Sequence, residues 1–374
     1  MVDFLIVGGG IVGAFIAREL AKYDVSTLLL EKEADVAQVQ STHNSALVHS
    51  PIAIPPEKGT LKARLAKEGN RMHRTLAVKF GVPVLQNGAY MLAFDEAEMA
   101  TLKRLHDEAL KRGLMPRLIS ASAALEEEPS LNPSLLAALA MDDAMTADTY
   151  DYAKKIARNA TLNGVQFIFG SEVGSIESKK DHFLVKSTTG MYKARHVINA
   201  AGIKNAFIAA MVETDVPYRM RPHRGEYYVL GPAYRDLVRH TLFPVPKDDT
   251  KGILVIPQPD GSIRLGPTNT FQEALDQAAT TDEGLRAIRE GVRRMLQNVP
   301  VEKAERTYAG LRSTIDQDDF FIRRSLEHPG FIHVAGIDSP GVTAAPAIAR
   351  YVVDEIVKPG TTLKPNKTFD PYRL

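Results

Sequence analysis

The segment DFLIVGGGIVGAFIARELAKYDVSTLLLEKE, residues 3–33, leaves a chain few ways to fold. Phe4–Val7 is an apolar run of the kind that a strand buried on both faces needs. Gly8, Gly10 and Gly13 follow in the order G-x-G-x-x-G. The first permits a tight turn, the second lets backbone approach a pyrophosphate, and the third lets helix and strand pack closely. Ile16, Leu20 and Tyr23 recur at helical spacing, Ala17 keeps that helix face small, and Val25–Leu30 reads as the next strand. The helix N-terminus presents free N–H groups to phosphates. Glu31 closes the second strand 18 residues beyond Gly13, where a carboxylate can accept from ribose hydroxyls. Strand, turn, helix, strand and acid in this order predict dinucleotide binding rather than a chance turn.

Further along, helices are expected over 61–80, 96–112, 150–163, 283–297 and 345–357. Strand-like stretches occur over 84–94, 164–178, 196–202 and 331–336, and a β-rich segment holds GEYYVL and GILVIPQPDGSIRLGP. Strand-then-small-residue turns follow Val7, Asn199 and Val334. In a doubly wound sheet such turns gather at the carboxyl ends of the strands, where ligands bind. The expectation is an α/β protein whose nucleotide domain is assembled from separated segments, with a second domain interleaved. No internal repeat or low-complexity tract interrupts it.

Composition narrows the function. Lys and Arg (46) nearly cancel Asp and Glu (45), so no global field invites nucleic acid. There is no cysteine, which excludes disulfides, thiolate-held metal and a flavin attached through cysteine. No metal site is expected. Neither a signal peptide nor a run of about 18 apolar residues is present. A cytoplasmic location is expected, with peripheral membrane contact left open.

VGGGIVGAFIARELA, THNSALVHS, INAAG, RGEYY, KGILVIPQPDGSIRLGPT and FIHVAGIDSPGVTAAPAIA together resemble the FAD-dependent oxidoreductases of the D-amino-acid-oxidase superfamily over nearly the whole chain. Within it the chain looks closest to glycerol-3-phosphate oxidases and dehydrogenases, then to L-2-hydroxyglutarate oxidases and dehydrogenases. The resemblance implies non-covalent FAD in a Rossmann-like domain of residues 1–80, 143–212 and 311–374, and an α+β substrate domain of 81–142 and 213–310. Gly8, Gly10, Ile11, Val12, Gly13, Glu31 and Lys32 would hold the ADP half, and Val173 would meet the adenine through its backbone. Asn199, Ala200, Ala201 and Gly202 would let the chain pass close by, and Thr42, His43, Asn44 and Ser45 would run along the cofactor. Gly336, Ser339, Pro340, Gly341, Val342 and Thr343 would face the ring, where a helix N-terminus stabilises arriving negative charge.

The chemistry implied is oxidation of the secondary hydroxyl of a small anionic 2-hydroxy compound: hydride to the flavin, and a proton to a base. By the family pattern His49 is that base, since imidazole titrates near operating pH. Arg312, Lys251 and Ser339 would act with it on the substrate, with Arg224 either joining them or forming a structural ion pair. Tyr227 and Tyr228 read as strand residues, and Glu126-Glu127-Glu128 and Lys179-Lys180-Asp181 as solvated surface. Dioxygen, a quinone or a partner subunit would take the electrons. sn-Glycerol 3-phosphate is the first expectation. L-2-hydroxyglutarate, an amino acid, or a flavin subunit that only passes electrons are the alternatives, with nicotinamide-dependent chemistry less favoured.

Overall fold

A computed structural model of the protein describes residues 1–56, 59–246, 252–276 and 278–374. At its centre lies β1 (Val2–Val7). The pleat sends Phe4 and Ile6 to one hydrophobic cluster and Leu5 and Val7 to another, so the run needs no polar alternation. Burying a side chain as fully as Phe4, Leu5 and Ile6 contributes roughly 1.5–3 kcal/mol each.

β2 (Thr27–Leu30) runs parallel to β1, and Gln166–Ile168 runs parallel beyond it. On the other side Gly190–Asn199 lies parallel to β1 with Asn199 beside Val7. The far edge of that long strand is shared. Its first half pairs antiparallel with Phe183–Ser187, and its second half pairs parallel with Phe331–Ala335. The turns after Val7, Asn199 and Ala335 therefore meet at one end of the sheet. α1 (Ile11–Leu20), α2 (Thr60–Lys79), Thr149–Leu162 and Gly341–Tyr351 cover the face that carries Phe4 and Ile6.

A second sheet, of nine strands among the described residues, has its own apolar clusters. His223–Leu230 pairs antiparallel with Arg306–Arg312, placing Arg312 opposite His223. A small third sheet joins Leu47–Val48, Met145–Ala147 and Val84–Leu85, and was not anticipated. It explains why apolar residues sit inside THNSALVHS: Leu47 and Val48 are strand residues at 2% and 0% exposure.

Three expectations need correction. The second strand begins at Thr27, because Asp24 N–H donates to the Lys364 carbonyl and holds residues 23–25 as a turn against the C-terminal tail. The last long helix begins at Gly341 and gives way to a π-helical turn over Val352–Val357. Glu128 is buried rather than solvated, its carboxylate accepting from the Arg239 and His240 amides and from the His240 ring.

One helix contact governs the site. A Cβ at Gly69 of α2 would lie 2.0 Å from the Thr343 carbonyl of Gly341–Tyr351, so only glycine permits the approach. His73, one turn on, donates from Nε2 to the Val342 and Thr343 carbonyls at 2.9 and 3.1 Å and accepts from the Tyr152 hydroxyl at Nδ1. Burial holds the His73 imidazole down at about 4, although those carbonyls pull the other way.

Two outcomes follow from this contact. Gly69→Ala loses about 1–3 kcal/mol in urea denaturation despite alanine's better helix propensity, because the obstacle is backbone. The unfolded His73 binds its proton near 6.5 and the folded one near 4, so stability falls as pH drops through that window. The loss reaches at most about 3 kcal/mol, and a His73→Gln variant titrated the same way shows a flatter profile over that range.

Candidate functional site

The three gathered turns open into a cavity of about 1550 Å³ that runs from Glu31, Lys32 and Val173 to His49, Arg312 and Ser339. At the first end, Gly8 has φ +106°, and a Cβ on it would stand 2.5 Å from the Ala200 carbonyl oxygen. A Cβ on Gly13 would stand 2.0 Å from the Gly8 carbonyl oxygen. These glycines let two strand ends and a helix start converge. Helix N-terminal amides have no intrahelical acceptor. Ser41 Oγ takes one of them, accepting from Ile11 N at 3.0 Å, and Ser41 also lines the cavity.

Glu31 accepts from Gly9 N at 2.5 Å and from Glu33 N at 2.9 Å. Its two carboxylate oxygens thus each hold one amide, which orients the group and leaves lone pairs for a further donor. Lys32 is paired with Glu33 at 2.9 Å, and that hydrogen bond raises its pKa. Gly8, Gly10, Ile11, Val12, Glu31, Lys32, Val173, Ala200, Ala201 and Gly202 all line this part. Gly13 lies beneath it as packing.

The stretch 42–50 forms the middle of the cavity wall. Asn44 braces its own loop: Nδ2 donates to the Gln40 and Ser41 carbonyls, while Oδ1 accepts from Ala46 N, whose φ is +55°. The second sheet grips the same loop from outside. The Asn44 carbonyl accepts from Arg264 Nη1 at 2.6 Å and the Tyr308 hydroxyl at 2.7 Å, and a Cβ on Gly310 would meet the His43 carbonyl at 1.9 Å. His43, Asn44 and Ser45 line the cavity, whereas Thr42 turns away to donate to the Ala37 carbonyl.

His49 is 5% exposed and held at both ends of its backbone: its N–H donates to Thr343 Oγ1 at 2.9 Å and its carbonyl accepts from Asn70 Nδ2 at 3.0 Å. Its Nε2 stands 3.4 Å from Ser339 Oγ, and Phe243 lies 6.0 Å from its ring centre. Ser339, Pro340, Gly341 and Val342 reach the cavity, while Thr343 supports His49 from behind and Gly336 forms the turn before them at φ +68°.

Arg312 crosses the neighbouring strand. Nη1 donates to Asn269 Oδ1 at 2.9 Å and Nη2 to the Thr268 carbonyl at 3.0 Å, and Nη2 sits 2.9 Å from where a Gly225 Cβ would be. Glycine in RGEYY is the space through which this guanidinium passes. Arg224 does not join it. Side chains alternate along a strand, so Gly225 and Tyr227 line the cavity while Arg224 points to the other face, 3.8 Å from Glu226. Lys251 lies outside the described residues.

Residues missed in the sequence also line the cavity. Lys62 forms an ion pair with Asp338 at 2.9 Å, and Asp319 accepts from Leu61 N and Lys62 N at the start of α2. The signal was available: Lys62, Asn70 and His73 share the buried stripe of α2 with Leu65, Ala66, Gly69 and Ala77. His223 lines the cavity next to Arg312. Among the described residues, no three His, Asp or Glu side chains are placed to hold a metal ion.

FAD suits this site on the chain's own terms. The glycine cradle, the oriented Glu31 and a cavity long enough to join them to an imidazole–guanidinium end are all present. The family model described as FAD dependent oxidoreductase (DAO) matches residues 3–355. A glycerol 3-phosphate dehydrogenase of Caloramator mitchellensis is 36% identical over 377 residues, an alignment covering 100% of this chain and 77% of the relative. A glycerol 3-phosphate oxidase of Mycoplasma pneumoniae is 30% identical, with 97% and 96% covered. The solved dithionite-reduced L-α-glycerophosphate oxidase from Mycoplasma pneumoniae, with FAD bound, superposes at a TM-score of 0.92 and 27% identity, covering 100% of this chain and 98% of that one. The chain belongs to the FAD-dependent oxidoreductases of the DAO family, and FAD is its cofactor.

Proposed function

We propose that the protein oxidises sn-glycerol 3-phosphate to dihydroxyacetone phosphate. The observation that carries this reading is the joining of the dinucleotide cradle, His49 and Arg312 in one cavity, in a chain 36% identical to a glycerol 3-phosphate dehydrogenase. Residues 1–80, 143–212 and 311–374 would hold the cofactor, and 81–142 and 213–310 the substrate. Bound FAD supplies the acceptor for a hydride leaving the substrate's C2.

The chain's own residues do the rest. Gly8, Gly10, Glu31 and the 200–202 turn would hold the adenosine and pyrophosphate, with Gly13 packed beneath them. His49 takes the C2 hydroxyl proton, with Ser339 beside its Nε2 to orient that hydroxyl. Thr343 and Asn70 fix the His49 backbone, so the imidazole meets the substrate without reorganisation. Arg312, already braced by Asn269 and Thr268, binds the phosphate through its remaining donors. The amides that open Gly341–Tyr351 place a positive dipole end beside the reacting centre.

Anaerobic addition of substrates to the purified yellow protein tests this. Glycerol 3-phosphate bleaches the visible flavin band, while L-2-hydroxyglutarate and a panel of amino acids leave it oxidised. Bleaching by one of those alone would transfer the assignment to it. His49→Asn keeps its flavin but is reduced about 10²–10⁴ times more slowly. Arg312→Lys raises KM about tenfold with a smaller change in kcat, since a point charge replaces a planar fork.

A further inference from the structure

We propose that His223 is a second, proton-dependent contact for the substrate's phosphate, and that it makes the pocket prefer a phosphate monoester over a carboxylate of similar size. The inference rests on the proposed oxidation of glycerol 3-phosphate and goes beyond it by naming what reads the phosphate. His223 is half-buried, lines the cavity and sits directly opposite Arg312 in the strand ladder. Directly paired residues share one face of a sheet, and Gly225, two residues on, shares that face and gives the Arg312 guanidinium its room. An imidazole and a guanidinium thus flank the same end of the cavity.

The state of the imidazole is set by its surroundings. Nδ1 lies 2.9 Å from the Arg221 carbonyl, which only accepts, so Nδ1 carries the hydrogen and Nε2 is the atom able to gain a proton. Phe271 packs edge-on at 5.8 Å. The charged groups that act on the ring are Arg312 on the paired strand, Arg221 just before it and Asp338 from the loop after Phe331–Ala335, itself paired with Lys62. Burial first, then Arg312 and Arg221, hold its pKa below the usual range, against the Arg221 carbonyl and Asp338. At neutral pH the free site therefore holds a neutral imidazole beside a fixed cation.

A dianionic phosphate reverses that balance. It neutralises the Arg312 field and offers an acceptor, so His223 takes one proton from solvent and donates it as a charge-assisted hydrogen bond. A carboxylate brings a single charge and supports less of this uptake. Arg312 accepts either anion, and His223 adds the difference.

Calorimetry on the FAD-loaded, oxidised enzyme tests the proposal with dihydroxyacetone phosphate, which cannot reduce it. Titration at pH 7.5 in two buffers of different ionisation enthalpy counts the protons exchanged. Wild type takes up a proton on binding, 2-oxoglutarate binds more weakly with little uptake, and His223→Gln loses the uptake along with about tenfold in affinity. The flavin spectrum and melting temperature of the variant report its fold. No uptake in wild type, or the same uptake in His223→Gln, overturns the role of His223 and leaves the proposed oxidation standing. A pocket that ignores dihydroxyacetone phosphate and takes 2-oxoglutarate overturns both.

Discussion

The Gly8 backbone lies so close to Ala200 that a single Cβ would meet the Ala200 carbonyl oxygen at 2.5 Å, and Gly13 closes on Gly8 at 2.0 Å by the same measure. Everything at the site depends on this convergence. It brings the ends of β1 and Gly190–Asn199 and the start of α1 to one place, and it leaves the strand amides and helix dipole facing a common space. The third turn, after Ala335, reaches the same space because Phe331–Ala335 pairs with the far half of Gly190–Asn199. A bulkier residue at Gly8 or Gly13 would separate these ends. The cradle and His49 would then no longer belong to one cavity.

The reactive end is held differently, by side chains acting across elements. His49 is aligned by Thr343 and Asn70, Thr343 is aligned by the α2 contact at Gly69 and His73, and the preceding loop is gripped from the second sheet by Arg264, Tyr308 and Gln258. Tyr227 and Tyr308 stack at 4.6 Å behind that grip, and burial raises both phenols' pKa, so both stay neutral and Tyr308 keeps the proton it donates to the Asn44 carbonyl. The two sheets thus meet at the stretch that carries the imidazole.

Much of this was legible in residues 3–33, because glycine spacing, strand apolarity and a terminal acid each leave a local mark. The long helices were legible from periodicity to within a few residues. Side-chain direction was not. Arg224 and Gly225 are neighbours in RGEYY, and only the strand's phase decides that the glycine faces the cavity and the arginine does not. Glu128 sits in an acidic run whose burial depends on amides 111 and 112 residues away. Lys62 and His73 occupied apolar-stripe positions of α2, a mismatch between residue type and phase that marks a polar contact, though not its partner. His223 becomes notable only once the ladder sets it opposite Arg312.

The most direct test of the central claim, that one cavity brings an oxidisable C2–H to the flavin beside His49, is single-turnover reduction with glycerol 3-phosphate carrying deuterium at C2. The account predicts that bleaching of the flavin slows several-fold with the deuterated substrate, because that bond breaks in the reducing step. Bleaching at the same rate with either isotope in a reaction limited by chemistry, or a flavin that stays oxidised with both, would contradict it.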